Sequence, residues 1–596
     1  MVWQGRRMLP IVRNMTGPTT DRLALASAED QHTAADWEKI TAGVLRKSGR
    51  LTDSDPDDAV WTKLARTTLD GISVAPIGTL SDLDGLATAG RPTREGDWDI
   101  RAQFDGPDAK AVNAAALMDL ANGVNSLWLQ LGNGFGPADL ETVLAGVLLD
   151  IAPVTLDAGA DAVAAAQALA ALLPENASPA TNLGADPFGT QVRGGAASLD
   201  DLVTVAKLAQ EKNVLGVVVD GTAVHDLGAS DGQELGYSLA VGAAYLRALT
   251  EAGLTVEEAA GLLEFRYAAT PEQFPTIAKF RAARRLWVRV LELSGLAGGA
   301  QLQHAVTSRP VMTKYDPWVN MLRVTVGAFA AGVGGAESVT VLPFDSTAGI
   351  SDAFGRRIAR NTSSLLISEA HVAKVVDPAG GSYAVEKLTD DIAKVAWAEF
   401  GRIEEAGGIA AALADGSLQA RIDEVVAVRE KQIAQRKRPI TGISEFPNLG
   451  ETLPERPASP AADKVRRYGA SFEALRDEPV ASTVFLATMG PVAAHTARAT
   501  FATNLLAAGG IAVDVAGATA NADELIRAYQ GQKVVCLAGT DAVYAEWAPA
   551  AIDALRAAGA AYVILAGKPG DLAVDDSAAM GLDALAFLNK TREALA

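Results

Sequence analysis

The chain has 596 residues, 49% of them hydrophobic, with 52 Lys and Arg against 72 Asp and Glu, a formal net charge of -20 at pH 7. That length exceeds what a single core fills, so two or more domains are expected, while the acidic balance repels nucleic-acid phosphates and anionic membrane surfaces and excludes both as partners. No run of about 18 uncharged apolar residues suggests a membrane span, the basic opening Met1–Val12 has too short an apolar run for a signal-peptide core, and the lone Cys536 rules out an intrachain disulfide or a cysteine metal cluster, so a cytoplasmic protein is expected.

Residues 1–65 read as an N-terminal arm, with two helical signals and a connector, Lys47–Asp57, rich in Asp, Ser and Pro. Residues 66–437 alternate short β-rich runs with alanine-rich helical stretches. The runs are Ile72–Ile77, Leu127–Leu131, Val154–Asp157, Leu215–Asp220 and Ser338–Leu342. Strand-then-helix repeats over this length predict an α/β fold built on a parallel (β/α)8 TIM-like barrel. Asp231 and Glu234 are spaced as a capping box, and Leu235, Leu239, Leu246 and Leu249 follow at helical intervals. The loop Gly221–Ser230 before that helix would lie at the barrel face where chemistry happens. Residues 438–481 hold Pro439, Pro447, Pro454, Pro457 and Pro460 without a sustained apolar period, which predicts a linker. Residues 482–596 offer five strand candidates, Thr483–Ala487, Ile511–Val515, Val534–Ala538, Ala561–Leu565 and Ala584–Phe587, and predict a doubly wound, flavodoxin-like sheet.

Three runs, Lys279–Trp287 (KFRAARRLW), Arg356–Thr362 (RRIARNT) and Val375–Glu386 (VVDPAGGSYAVE), together resemble the methylmalonyl-CoA mutase family. The order of arm, barrel, linker and end domain matches too, so the resemblance covers nearly the whole chain. It implies adenosylcobalamin as the cofactor of competent members. Their end-domain loop reads Lys-x-Gly-x-Asp-Gly-His-x-x-Gly, whose His is the lower axial ligand of cobalt and whose Asp orients that ring. An axial His needs its second nitrogen held by a partner that sets tautomer and basicity. Laid on that loop without gaps, this chain has Thr488 for Lys, Gly490 for the first Gly, Val492 for Asp, Ala493 for the next Gly, Ala494 for His and Ala497 for the last Gly. His495 falls one residue beyond the ligand position and reads as a surface or helix-start histidine. The other histidines, His32, His225, His304 and His371, lie outside the end domain. The degenerate loop predicts no cofactor-binding residues and no metal site in this chain.

The barrel shows the same pattern. Where the family reads Trp-Thr-Ile-Arg-Gln-Tyr-Ala-Gly, this chain reads Trp98–Gly106, with Gln103, or Phe104 after a gap, at the substrate-site Tyr. His225 matches the family's substrate-carbonyl histidine, but Val224, Leu227 and Gly228 replace its neighbours, so it reads as a relic that holds its loop by a hydrogen bond. His304 matches a histidine near the acyl-CoA site, followed by an altered run. Gln103, His225 and His304 are therefore vestigial positions, and no catalytic residue is expected. The basic run Lys279, Arg281, Arg284, Arg285 and Arg289 reads either as a solvated or ion-paired helix face, or as a contact for CoA phosphates or a partner's acidic patch. Arg356, Arg357 and Arg360 carry the same two readings.

Taken together, the resemblance implies a structural small subunit of a heterodimeric mutase. A large catalytic subunit would bind the cofactor and interconvert (R)-methylmalonyl-CoA and succinyl-CoA by radical chemistry, and a GTPase chaperone that services such mutases is a possible further partner. The alternatives are a catalytic acyl-CoA mutase with an unorthodox cobalamin mode, or a subunit that keeps a regulatory acyl-CoA site. Expressed alone, the chain is expected to be poorly soluble or to self-associate, because apolar faces would lack their partner.

Overall fold

The structure, a computed structural model, describes residues 32–86, 90–106, 108–458 and 464–596. The part of the expected arm before His32, and Pro460 of the expected linker, lie outside the described residues.

One compact unit comprises the described residues up to Thr67 together with Ser73–Ile77. Its helix Ala34–Lys47 is opened by a capping box between Thr33 and Asp36 and carries Arg46 and Lys47 in its last turn, where they complement the helix dipole. Ala42 and Leu45 of that helix bury against Leu51 and Val60, and the Trp37 and Trp61 rings lie 4.6 Å apart. The run Ile72–Ile77, expected as a barrel strand, instead supplies Ser73–Val74, which pairs antiparallel with Arg66–Thr67. Its apolar period predicts extended backbone, but a hairpin partner lies only a few residues away.

The second unit holds Thr68–Ile72 and Gly78–Ala596. Eight parallel strands close a barrel: β1 Asp99–Phe104, β2 Ser126–Gln130, β3 Val154–Asp157, β4 Asn182–Ala185, β5 Leu215–Asp220, β6 Leu263–Ala269, β7 Leu302–Thr307 and β8 Ser338–Thr340, which pairs back onto β1. Four of them, β1, β4, β6 and β7, lack a plain apolar signature because polar residues alternate along them. In β4 the register also breaks between Asn182 and Ala185. Gly184 there has φ +82, and a Cβ would sit 2.0 Å from Leu156 O, so only glycine fits. After β5 comes the helix Asp231–Glu251, which is capped by Ser230 and boxed with Gln233, one residue earlier than expected. That shift frees Glu234 to turn inward, where it is fully buried. A short helix, Thr222–Asp226, occupies the stretch expected as loop.

Near the C-terminus, five parallel strands form a sheet: β9 Val484–Thr488, β10 Val513–Val515, β11 Val534–Ala538, β12 Tyr562–Ala566 and β13 Asp576–Ala578, in the order β10-β9-β11-β12-β13. Leu486, Cys536 and Ile564 face the helices Val492–Ala508 and Ala584–Leu595 on one side, while Phe485, Leu537 and Leu565 face the helix Asp541–Ala557 on the other. The candidate strand Ala584–Phe587 is therefore a helix. Asp583 caps it through Ala586 N, and Ala584, Phe587, Leu588, Thr591 and Leu595 bury at spacings of three and four, which a strand cannot do. A helix also forms within the expected linker, Ala470–Asp477, because Phe472 finds a buried seat on the first face of this sheet. Among the described residues, no helix is long and apolar enough to cross a membrane.

Candidate functional site

The barrel lumen is crossed by the chain's own side chains. Arg101 on β1 donates two hydrogen bonds of 2.9 Å to the Glu264 carboxylate on β6, and these strands are not neighbours, so the pair spans the interior. Trp128 on β2 lies under the guanidinium of Arg266 on β6, 4.0 Å from ring centroid to Cζ, and meets the His304 ring edge-on at 5.4 Å. Strands β2 and β6 face each other across the barrel, so this stack fills its width. Arg266 continues the network by donating to Asp220 at 2.9 Å and to His304 Nδ1 at 3.1 Å.

These contacts decide the state of each histidine. Because Arg266 Nε–H occupies His304 Nδ1 as an acceptor, the ring proton sits on Nε2 and is donated to Thr340 Oγ1 at 2.8 Å. Burial, with Arg101 and Arg266 nearby, pushes His304 well below the ordinary histidine range. It stays neutral, with both ring nitrogens engaged by protein groups. His225 is equally enclosed: Nε2 lies 2.8 Å from Ser308 Oγ and Nδ1 lies 3.6 Å from Glu234 Oε2, and burial first, then Lys279, lowers its pKa well below the usual value. Gln103, at the tyrosine position, donates to Gln130, which donates to Asp157 at 3.3 Å. Phe104 is buried beside it.

The basic run on the helix Gln273–Leu293 is largely consumed by internal carboxylates. Lys279 is fully buried against Glu234 at 2.6 Å and Asp231 at 3.0 Å, and Asp231 and Glu234 hold it as an ammonium against the cost of burial. Arg281 pairs with Asp377 and with Glu386 at 2.7 Å, Arg285 pairs with Asp390 at 2.8 Å, and Arg284 bonds to Gln303 and Gly334 O. Only Arg289 makes an exposed pair, with Glu292 at 2.9 Å. Arg360 is paired with Asp119 at 2.6 Å, Arg356 lies 3.6 Å from the same carboxylate, and Arg357 covers the Phe354 ring. Arg281 thus ties the helix Gln273–Leu293 to the loop at Asp377 and to Glu386 in the first turn of the helix Tyr383–Glu405. Sequence spacing showed the helix face but not the partners, which lie about a hundred residues away.

At the carboxyl end of the barrel a cavity of about 340 Å³ is lined by Gln103, Phe104, Met312, Leu342, Arg309 and Arg356, with Val465 and Arg467 of the connecting segment. Its two barrel arginines are already engaged: Arg309 donates to Asp226 at 3.1 Å, and Arg356 to Ser351 O at 3.0 Å.

Beneath the same face, Asp186 is half-buried and accepts from Tyr245 OH at 2.6 Å. Burial, then the neighbouring Asp220, raises it to about 6. Arg193 and Arg266 hold Asp220 below the ordinary range even though burial opposes them. The two carboxylates therefore act oppositely on stability. Between about pH 4 and 6 the unfolded chain has released the Asp186 proton while the fold keeps it, so raising the pH through this window destabilises the protein, by at most about 3 kcal/mol. Asp186→Asn is expected to flatten that part of the stability profile, as measured by denaturation at pH 4, 5, 6 and 7 (an order-of-magnitude test of linkage).

In the end domain, the helix Val492–Ala508 begins directly after the turn Met489–Pro491, where Gly490 takes φ +82. Val492 and Ala494, at the Asp and His positions of the family loop, are thus helical, and so is Ala497. His495 lies in the first turn, is buried rather than on the surface, and its Nδ1 donates to Gly490 O at 3.1 Å. Thr488, at the Lys position, donates to Gly517 O, and Gly490 N–H donates to Thr519 O at 2.8 Å, which ties this turn to the loop after β10. No carboxylate stands where an axial histidine would need one, and the only histidine nearby is turned onto its own backbone. These residues do not fit a cobalt-ligating loop. Among the described residues, no group of three or more His, Cys, Asp or Glu could hold a metal ion. His32 and His371 are exposed.

The family model for methylmalonyl-CoA mutase matches residues 137–530. The methylmalonyl-CoA mutase small subunit of Streptomyces virginiae is 46% identical, over 97% of this chain and 99% of its own length. The probable small subunit of Mycobacterium bovis is 42% identical over 89% of this chain and 92% of its own length, and the small subunit of Propionibacterium freudenreichii subsp. shermanii is 37% identical over 97% of each. The family model spans most of the barrel, and the Streptomyces and Propionibacterium relatives match nearly the whole chain, so the chain belongs to the methylmalonyl-CoA mutase family, alongside relatives described as small subunits.

Proposed function

We propose that this chain is the small, non-catalytic subunit of a heterodimeric methylmalonyl-CoA mutase, paired with a large subunit that carries adenosylcobalamin and the acyl-CoA. The observation that carries this reading is the filled lumen: Arg101–Glu264 and Trp128–Arg266 cross it, and His304 is held neutral between Arg266 and Thr340. A substrate entering the barrel would have to break buried ion pairs, and the ring nitrogens of His304 and His225 are already taken by protein groups. The end sheet, whose order is that of flavodoxin-like doubly wound sheets, serves as a cobalamin-binding-type domain without its loop chemistry. The organisation proposed is an arm over residues 1–65, a barrel over 66–437, a connecting segment over 438–481 and the end domain over 482–596.

What the chain's residues do is hold a scaffold. Trp318 (57% exposed) and Leu322 (68%) stand one turn apart on the helix Pro317–Gly334, with Trp318 stacked on Phe344, and leave apolar area for a partner. The buried thiol of Cys536 suits a reducing cytoplasm. Titration of the purified chain with adenosylcobalamin is expected to leave the cobalamin spectrum unchanged, and tight stoichiometric binding would overturn the reading. Copurification should bring down a larger paralogue that retains the Asp and His of the loop.

A further inference from the structure

In an open sheet of this order, ligands enter at the carboxyl edge where the strand order reverses, here between β9 and β11. The helix after β9 packs on one face and the helix after β11 on the other, which leaves a crevice between their amino ends. In this chain a single side chain spans it. Arg498, in the second turn of the helix Val492–Ala508, donates to Gly539 O at 2.7 Å, in the loop after β11, and to Asp541 Oδ1 at 2.5 Å, in the first turn of the opposite helix. Its guanidinium lies 4.9 Å from the Tyr544 ring centroid and so close to Gly567, after β12, that a Cβ there would sit 3.1 Å from Arg498 Cζ. Tyr544 in turn accepts from Gly539 N–H at 2.9 Å, and its hydroxyl lies 2.9 Å from Ala566 O. This cation, placed over an aromatic ring, thus joins the helix after β9 to the loop after β11, to the opposite helix and to the loop after β12.

We propose that Arg498 is an internal ligand, which fills the end-domain crevice in place of a bound planar heteroaromatic group and keeps that crevice shut. The proposal extends the reading of the chain as a subunit without a cofactor of its own. It adds a cause: the loop has lost its ligating residues, and the space behind it has been taken by a residue on the following helix. Gly567 and Gly539 are part of the device, since a larger residue at Gly567 would displace the guanidinium.

Two variants test this through amide exchange and a small probe, benzimidazole, followed by NMR. In Arg498→Ala, the amides of Gly539 and Gly567 are expected to exchange about tenfold faster than in the wild type, as local opening at this edge becomes easier, and benzimidazole is expected to bind at millimolar concentration. Arg498→Met keeps the bulk of the stem and loses the donors. It is expected to speed exchange at Gly539 while still excluding the probe, and it carries the exchange measurement if the alanine variant does not fold. Exchange within twofold of the wild type in both variants, or equal benzimidazole binding by wild type and Arg498→Ala, would overturn the proposal. Adenosylcobalamin binding by the wild type would instead overturn the subunit reading, so the two failures are distinguishable.

Discussion

Arg101→Ala is expected to destabilise the barrel by about 3–5 kcal/mol, the usual cost of removing one partner from a buried ion pair. The Glu264 carboxylate would keep its place in the lumen with neither of its two 2.9 Å donors from Arg101, and water cannot readily reach it. The decisive comparison is the double variant Arg101→Met with Glu264→Leu. Replacing a buried pair by apolar residues of similar volume is often neutral or stabilising, so this variant is expected to recover most of the loss. Urea denaturation of the single and double variants measures both. If Arg101→Ala costs less than about 1 kcal/mol, the value typical of exposed pairs, the pair is not the strut across the lumen that the geometry describes.

Trp128→Ala carries an expectation of similar size, about 3–5 kcal/mol, from the lost transfer energy and the cavity left behind. The indole is 1% exposed, lies beneath Arg266, meets His304 edge-on and packs with Val306 and Leu342. Its removal would open a space across the lumen and leave Arg266 without its ring. Added indole should then raise the melting temperature of Trp128→Ala and leave the wild type unmoved, because only the variant has the space. A rescue of this kind separates a vacated slot from general loosening. If the site collapses instead, destabilisation falls at the low end of the range and indole has no effect.

Both expectations follow from a lumen that is polar where most barrels of this class are packed with branched aliphatic residues. That chemistry also sets which strands can be read from the amino acids. Strands β2, β3, β5 and β8 have runs such as Leu215–Asp220 that stand out as buried β-structure. Strands such as β6, Leu263–Ala269, put Glu264 and Arg266 inside and look amphipathic and exposed. In the end domain Ala584–Phe587 reads as a strand although it opens the last helix, because so short a run cannot distinguish periods of 2 and 3.6. The wider window to Leu595, with the Asp583 cap, carries the helical period.

The vestigial positions show a similar division. The replacement of the family's Asp by Val492 and of its His by Ala494 needs no structure to be seen, since a missing side chain has no hidden partner. Glu234 is the opposite case: it was assigned to a cap, but Gln233 takes that place and Glu234 turns into the core to meet Lys279. Arg498 carried no signal of its own, as one arginine in an alanine-rich helix.

By itself the sequence determined the alternating strand-helix order, the acidic exterior, the lone thiol, the family motifs and the loss of ligating residues, because these depend on residue identity and on neighbours within a few positions. Only the tertiary structure decided where the charges go. Arg101 meets Glu264, Arg266 meets Asp220 and His304, and Arg498 meets Gly539 and Asp541, over separations from 38 to 163 residues. Pairing buried charges requires elements far apart in the chain to be brought within about 3 Å with desolvation already complete, and no local pattern in the chain records that meeting.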